Sequence, residues 1–251
     1  MNQAGFHPSA FILHPSTFRI RLPTYNERMI ICLFDIDGTL LASGGAGRAA
    51  LESAFTAVFG IELREHIPYS GRTDRAIGRD LLNLHDVAYT PENWERLQQE
   101  YLARLPDSLN THDGRVLPGI VSLLETLKTR SDVAIGLLTG NLRAGARVKL
   151  GHFRLYEHFA FGGFGDHHFD RDDVAREALA EVHAKIGTHV KNERIWVIGD
   201  TPLDVKCARA IGAKVAAVAT GLHTLEQLID TSPDLAVGDF SDPSAFLDRL
   251  R

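Results

Sequence analysis

Apolar residues come in two rhythms along this chain. Short, near-continuous runs rich in β-branched residues occur at Met29–Phe34, Val133–Leu138, Phe159–Gly163, Ile195–Ile198, Lys214–Ala219 and Leu235–Val237. Between most of them, apolar positions recur every three or four residues. In Asp173–Ile186, for example, Val174, Ala178, Leu179, Val182 and Ile186 fall on one face of a predicted helix. A strand that is apolar at successive positions is buried on both faces. Such strands alternating with helices predict an α/β fold with a parallel sheet covered by helices on both sides.

The first run breaks the alternation. Its expected partner, Val133–Leu138, lies about a hundred residues on, too far for a simple crossover. The intervening residues 43–113 contain no comparable apolar strand and read as helices over Arg48–Phe59, Arg75–Leu84 and Pro91–Leu105. The last of these opens with Thr90 as cap and Pro91 as first residue. The expected architecture is a Rossmann-like core of residues 29–42 and 114–251, interrupted after its first strand by an α-helical cap domain of residues 43–113. Open α/β sheets bind ligands beyond the carboxyl ends of their strands. The insert leaves from that edge, so it is placed as a lid.

Residues 1–28 contain a short echo, HPSAFIL (His7–Leu13) followed by HPSTFRI (His14–Ile20). A proline in each copy prevents a helix of any length. The segment is expected to be a flexible N-terminal extension, with Met29 as the natural start of the fold, or upstream sequence translated by mistake; a docking tail is the alternative. It has no basic start followed by an apolar stretch and a small-residue cleavage site, and hence no secretory signal. No apolar run approaches the ~18 residues of a membrane helix. The chain has 251 residues, 44% of them hydrophobic, enough to bury a sizeable core. A formal net charge of −5 gives no reason to expect nucleic acid as a partner. The two cysteines, Cys32 and Cys207, read as buried thiols of a reducing compartment, which places the protein in the cytoplasm.

Three predicted strand ends carry the chemistry. The first ends in FDIDGT, with Asp35, Asp37, Gly38 and Thr39; the second core strand ends in LLTGN, with Thr139, Gly140 and Asn141; a later one ends in GDTPLD, with Asp200 and, one helical turn on, Asp204. Adjacent parallel strands bring these tips together. Carboxylates crowded into one pocket repel unless a cation neutralises them, and a hard divalent ion with oxygen ligands, Mg²⁺ above all, suits such a donor set.

These motifs, in order and each closing a predicted strand, resemble those of haloacid dehalogenase superfamily phosphatases with an inserted helical cap, of the phosphoglycolate phosphatase-like branch. The resemblance runs from about Met29 to the C-terminus. It implies that Asp35 attacks phosphorus and becomes an aspartyl-phosphate. Asp37 would protonate the leaving oxygen and then take a proton from the hydrolytic water. Thr139 and the backbone amides of Gly140 and Asn141 would hold phosphate oxygens. Asp200 would ligate Mg²⁺ with Asp35 and the main-chain carbonyl of Asp37, and Asp204 would act directly or through water. Asp204 is equally well placed as a first-turn acid favoured by a helix dipole.

The family's third motif, a lysine usually followed by proline, has no match; the corresponding loop reads GDHHFDRDD (Gly165–Asp173). Lys149, on the helix after LLTGN, is the preferred replacement and Arg171 the other. His167 and His168 stand beside Asp166 and Asp170, but adjacent histidines on a loop rarely converge on one metal ion. In the cap, SGRTD (Ser70–Asp74) resembles the family's substrate-specificity segment. Arg72 is then the candidate for a substrate carboxylate or hydroxyl, or else an interhelical arginine paired with Asp74.

The expected function is Mg²⁺-dependent hydrolysis of a small phosphate monoester, with phosphoglycolate the leading substrate. A dehalogenase needs no leaving-group acid such as Asp37, and a Schiff-base phosphonatase needs a cap lysine, of which residues 43–113 contain none. A sugar-phosphate mutase shares the core motifs and is the alternative within the superfamily. The alternative of another class is a non-catalytic phosphate- or metal-sensing protein, against which the intact Asp37 argues.

Overall fold

The structure, a computed structural model, describes residues 29–63, 65 and 67–251; the expected N-terminal extension lies outside the described residues. The core strands are β1 (Ile30–Phe34), β4 (Val133–Leu138), β5 (Gly162–Gly163), β6 (Ile195–Gly199), β7 (Lys214–Val218) and β8 (Leu235–Val237). They form a six-stranded sheet in the order β5-β4-β1-β6-β7-β8, and every pairing is parallel. The alternation of strands and helices is thus realised as the expected doubly covered α/β sheet.

Strand β1 shows why its run is apolar throughout. Ile30, Cys32 and Phe34 pack into one core layer with α4 (Ile120–Thr129), α5 (Arg143–His152) and α9 (Ser244–Arg249). Met29, Ile31 and Leu33 point the other way, against α6 (Arg171–Lys185), α7 (Pro202–Ala210) and α8 (Leu225–Ile229). Ile31, Leu33 and Phe34 are fully buried, and each contributes roughly 1.5–3 kcal/mol of transfer free energy. Both cysteines are buried and unpaired.

Between β1 and β4 the chain runs through a short strand β2 (Leu41–Ala42), three helices, and β3 (Arg115–Val116). The helices are α1 (Ala46–Phe59), α2 (Asp74–Leu84) and α3 (Pro91–Thr111). They bury their own apolar cluster, including Phe55, Leu81, Leu97 and Leu105. Strands β2 and β3 pair antiparallel, Leu41 opposite Val116, so the outgoing and returning chains lie side by side at the sheet's carboxyl edge.

Helix α3 continues to Thr111, past the expected end at Leu105 and through Pro106. Its buried stripe of Trp94, Leu97, Tyr101, Leu105 and Leu109 keeps helical spacing. Packing at Leu105 and Leu109 offsets the roughly 3 kcal/mol that an interior proline costs. Strand β5 is shorter than the expected Phe159–Gly163, since only Gly162 and Gly163 register with Leu137 and Leu138. Helix α6 starts two residues earlier than expected, with Asp170 as its cap accepting from the Asp172 N–H at 2.9 Å. This puts Arg171 at the first helical position.

Candidate active site

The three strand tips converge. Asp35 follows β1 directly and donates its N–H to Ile198 O at 2.9 Å. Carboxylate oxygens of Asp35, Asp200 and Asp204 lie within 4.8 Å of one another, and all three residues are buried. Burial pushes Asp35 up to about 6, with Asp204 and Asp37 adding to the rise and Arg171 opposing it. Asp200 is pushed up to about 8 by burial and then by Asp204 and Asp35, against Arg171 and the Thr39 hydroxyl. The negative charge here exceeds what the protein itself neutralises.

Asp204 is committed before any ligand arrives. Its Oδ2 accepts from the Thr201 N–H at 2.9 Å and the Thr201 hydroxyl at 2.8 Å, a capping box for α7. Its Oδ1 accepts from Arg171 Nη2 at 2.5 Å. Among the described residues, Asp200 accepts a side-chain hydrogen bond only from the Thr39 hydroxyl, at 3.2 Å. Its carboxylate is wedged between two glycines: a Cβ on Gly38 would lie 2.3 Å from Asp200 Oδ2, and one on Gly221 1.7 Å. Gly38 also has φ +82°, a conformation that penalises other residues. The 220–221 turn escaped the sequence reading, although Thr220 Oγ1 donates to Gly38 O at 2.6 Å and so braces the first motif.

The two candidate cations divide the two aspartates of the first motif between them. Lys149 Nζ lies 2.6 Å from Asp37 Oδ2 and donates to Asn141 Oδ1, also at 2.6 Å. It is Arg171 whose Nη2 lies 3.0 Å from Asp35 Oδ1. An arginine at a helix N-terminus opposes the helix dipole, and the carboxylates of Asp35 and Asp204 offset that. Both cations are almost wholly buried. Burial works against each charge, but the carboxylates prevail: Asp204 and Asp35 hold Arg171, and Asp37 and Asp74 hold Lys149, above their ordinary values.

Asp37 differs from Asp35 in consequence. Burial would raise it, yet the charge and hydrogen bond of Lys149, with hydrogen bonds from Asn141 Nδ2 at 3.0 Å and Ser43 at 3.3 Å, hold it below the usual carboxylate range. Asn141 thus engages Asp37 and Lys149 through its side chain. Its backbone N–H turns back to Thr139 Oγ1 at 3.3 Å, and its Nδ2 also donates there at 2.9 Å. With two bonds accepted, the Thr139 hydroxyl has its proton left to donate. Gly140 allows the cap to approach: a Cβ there would lie 2.0 Å from Arg72 O, and its own carbonyl accepts from the Asp74 N–H at 2.8 Å.

Residues of the inserted helical segment and of the core line a cavity of about 460 Å³ over these side chains, with Arg72 in its wall. Arg72 is not paired with Asp74. Its Nη1 donates to Pro68 O at 3.0 Å and its Nη2 bonds Asp80. His168 pairs with Glu177 at 2.8 Å, and among the described residues neither His167 nor His168 belongs to a metal-binding cluster.

A family model for haloacid dehalogenase-like hydrolases matches residues 32–218. The phosphoglycolate phosphatase of Synechococcus elongatus is 27% identical over 213 residues, 84% of this chain and 93% of that protein. The crystal structure of CbbY from Rhodobacter sphaeroides in complex with phosphate superposes with a TM-score of 0.70 at 20% identity, over 88% of this chain and 100% of that one. The crystal structure of a predicted phosphoglycolate phosphatase from Haemophilus somnus does so with a TM-score of 0.69 at 17% identity, over 89% and 99%. These two structures share the fold, and the model match, spanning most of the chain and all the converging motifs, makes the protein a member of the haloacid dehalogenase-like hydrolase family.

Proposed function

We propose that the protein hydrolyses small phosphate monoesters through an aspartyl-phosphate on Asp35. One observation carries this reading: two neighbouring carboxylates each have their own buried cation, Arg171 on Asp35 and Lys149 on Asp37. A sensor of phosphate needs no such division, whereas a two-step displacement does. An Asp35 oxygen attacks phosphorus, and the bond to the leaving oxygen breaks with its electron pair. The leaving oxygen takes a proton from Asp37, to which the arriving phosphate charge gives a higher affinity for that proton. Water then attacks the same phosphorus and gives its proton to the Asp37 carboxylate, and the Asp35 carboxylate is restored. Arg171 steadies the charge that moves between Asp35 and the phosphoryl oxygens, and Thr139 donates its hydroxyl to one of them.

The donor set fits Mg²⁺. Asp35, Asp200 and Asp204 share one cation, Arg171, which leaves net negative charge for Asp35 and Asp200 to offer. The main-chain carbonyl of Asp37 would add a neutral oxygen, and Asp204, already bonded on both oxygens, would support the site from behind. When bound, the ion offsets the repulsion between nucleophile and phosphate. Phosphoglycolate, for which the Synechococcus relative is named, is the reference substrate. Arg72 could meet its carboxylate only while keeping Asp80 or by leaving it. No described helix is long and apolar enough to cross a membrane, and a small-molecule ester is the partner that the cavity suits.

The test is Asp35→Asn, which removes the nucleophile and preserves the shape. Turnover of phenyl phosphate with Mg²⁺ should fall about a thousandfold or more, and acid quench should trap no phosphoenzyme. Activity within a few fold of the wild type would refute the reading.

A further inference from the structure

Beyond the phosphate end, the cavity wall belongs to the cap. Tyr101 of α3 lines it; the residue is only 3% exposed, yet its hydroxyl makes no hydrogen bond to any described residue. Two glycines face that hydroxyl. A Cβ on Gly47 would lie 4.0 Å from it and 3.1 Å from Lys149 Nζ, and one on Gly145 would lie 3.6 Å from it. Burial, then Asp74 and Asp37, hold this phenol well above its usual range, so it remains a donor.

Asp74, the first residue of α2, lines the same cavity. Its Oδ2 accepts from the core Leu142 N–H at 2.8 Å, while Oδ1 has no hydrogen bond from a described residue. The cap's arginines in the wall are already engaged, Arg72 with Asp80 and Arg48 with Glu52 at 2.7 Å. What the cap offers a leaving group is thus the phenol hydroxyl of Tyr101 and a carboxylate oxygen of Asp74, with the Ser70 hydroxyl also in the wall, between the apolar walls of Leu51 and Ile77. A leaving group bearing a carboxylate would meet like charge from Asp74, because Lys149 in the same wall is already held by Asp37 and Asn141. A hydroxyl would be matched twice, donating to Asp74 and accepting from Tyr101. The cavity, about 460 Å³, lies within the ~300–1,000 Å³ typical of small-molecule sites.

We propose that Tyr101 and Asp74 form a hydroxyl-reading subsite, and that the enzyme prefers polyhydroxylated leaving groups, those of sugar or polyol phosphates, over carboxylated ones. This rests on the phosphatase reading and narrows its substrate away from phosphoglycolate. The experiment compares kcat/KM of the full chain, with Mg²⁺, for ribose 5-phosphate, phosphoglycolate and phenyl phosphate. The wild type should favour ribose 5-phosphate over phosphoglycolate at least tenfold. Tyr101→Phe should lower the ratio of ribose 5-phosphate to phenyl phosphate about tenfold, chiefly through KM. Asp74→Asn keeps an acceptor for Leu142 but loses the charge, and should raise the ratio of phosphoglycolate to phenyl phosphate. Thermal melting checks that both variants fold, and if Tyr101→Phe does not, the Asp74→Asn ratio decides. A wild type that prefers phosphoglycolate, or ratios unmoved in folded variants, overturns the subsite while leaving the phosphatase reading intact. Failure to hydrolyse any of the three esters overturns both.

Discussion

Arg171→Ala is the most informative single change, because it separates the two cations that the first-motif aspartates divide. The guanidinium is buried, 3.0 Å from Asp35 and 2.5 Å from Asp204, with weaker bonds to Gly71 O at 3.3 Å and Leu138 O at 3.4 Å. Removing one partner from a buried ionic group costs about 3–5 kcal/mol, because the remaining charge is stranded. In a chain of this size, each kcal/mol shifts Tm by roughly 2–4 °C, so the metal-free protein should melt roughly 6–20 °C lower. Mg²⁺ should recover part of that, since it neutralises the same carboxylates. Losing a preorganised charge donor at the reacting atoms commonly costs about 10²–10³ in kcat, and here the loss should fall on phosphoenzyme formation. Arg171→Lys should recover only part of it, as one ammonium cannot reach Asp35, Asp204 and two carbonyls together. Rapid-quench kinetics on full-length protein measures formation and breakdown separately. Lys149→Ala should act through Asp37 instead. That carboxyl then rises towards its ordinary value, and the acid limb of the kcat–pH profile moves to higher pH. Phosphoenzyme formation within threefold of the wild type in Arg171→Ala, or slowed more in Lys149→Ala, would refute the assignment.

Other expectations follow from the same geometry. Gly221→Ala would drive a methyl into Asp200 Oδ2, and should weaken Mg²⁺ activation at least tenfold while far-ultraviolet circular dichroism stays unchanged. Pro106→Ala restores a donor inside α3 and should raise stability by about 1–3 kcal/mol in urea titration; a loss would show that the proline is packed rather than merely tolerated. Burial raises Asp74 to about 6, so between pH ~4 and 6 the folded protein holds a proton that the unfolded chain has released. The stability this group contributes is full below that window and lost as pH rises through about 6. Asp74→Asn should therefore gain more Tm over the wild type at pH 8 than at pH 5, and an equal difference at both would contradict the raised value.

Much of this protein was legible along the chain, because local rules govern it. Apolar runs such as Ile30–Phe34 announce a doubly covered strand, since a side chain on either face must be buried. The tips of parallel strands must meet at one edge, so Asp35, Thr139 and Asp200 were bound to converge once the strands were recognised. Partner choice was another matter. Whether Lys149 or Arg171 faces Asp35 depends on where α5 and α6 set their first turns, and a start two residues earlier for α6 turned Arg171 inward. Arg72 found Asp80 rather than Asp74 because Asp74 is drawn to Leu142 N–H across the cap–core seam. The helix through Pro106 and the open hydroxyl of Tyr101 likewise follow from packing between distant segments. Periodicity reports which face of an element is buried. Which charged groups meet across that burial is settled by angstrom-scale differences in docking, and only the assembled tertiary structure decides them.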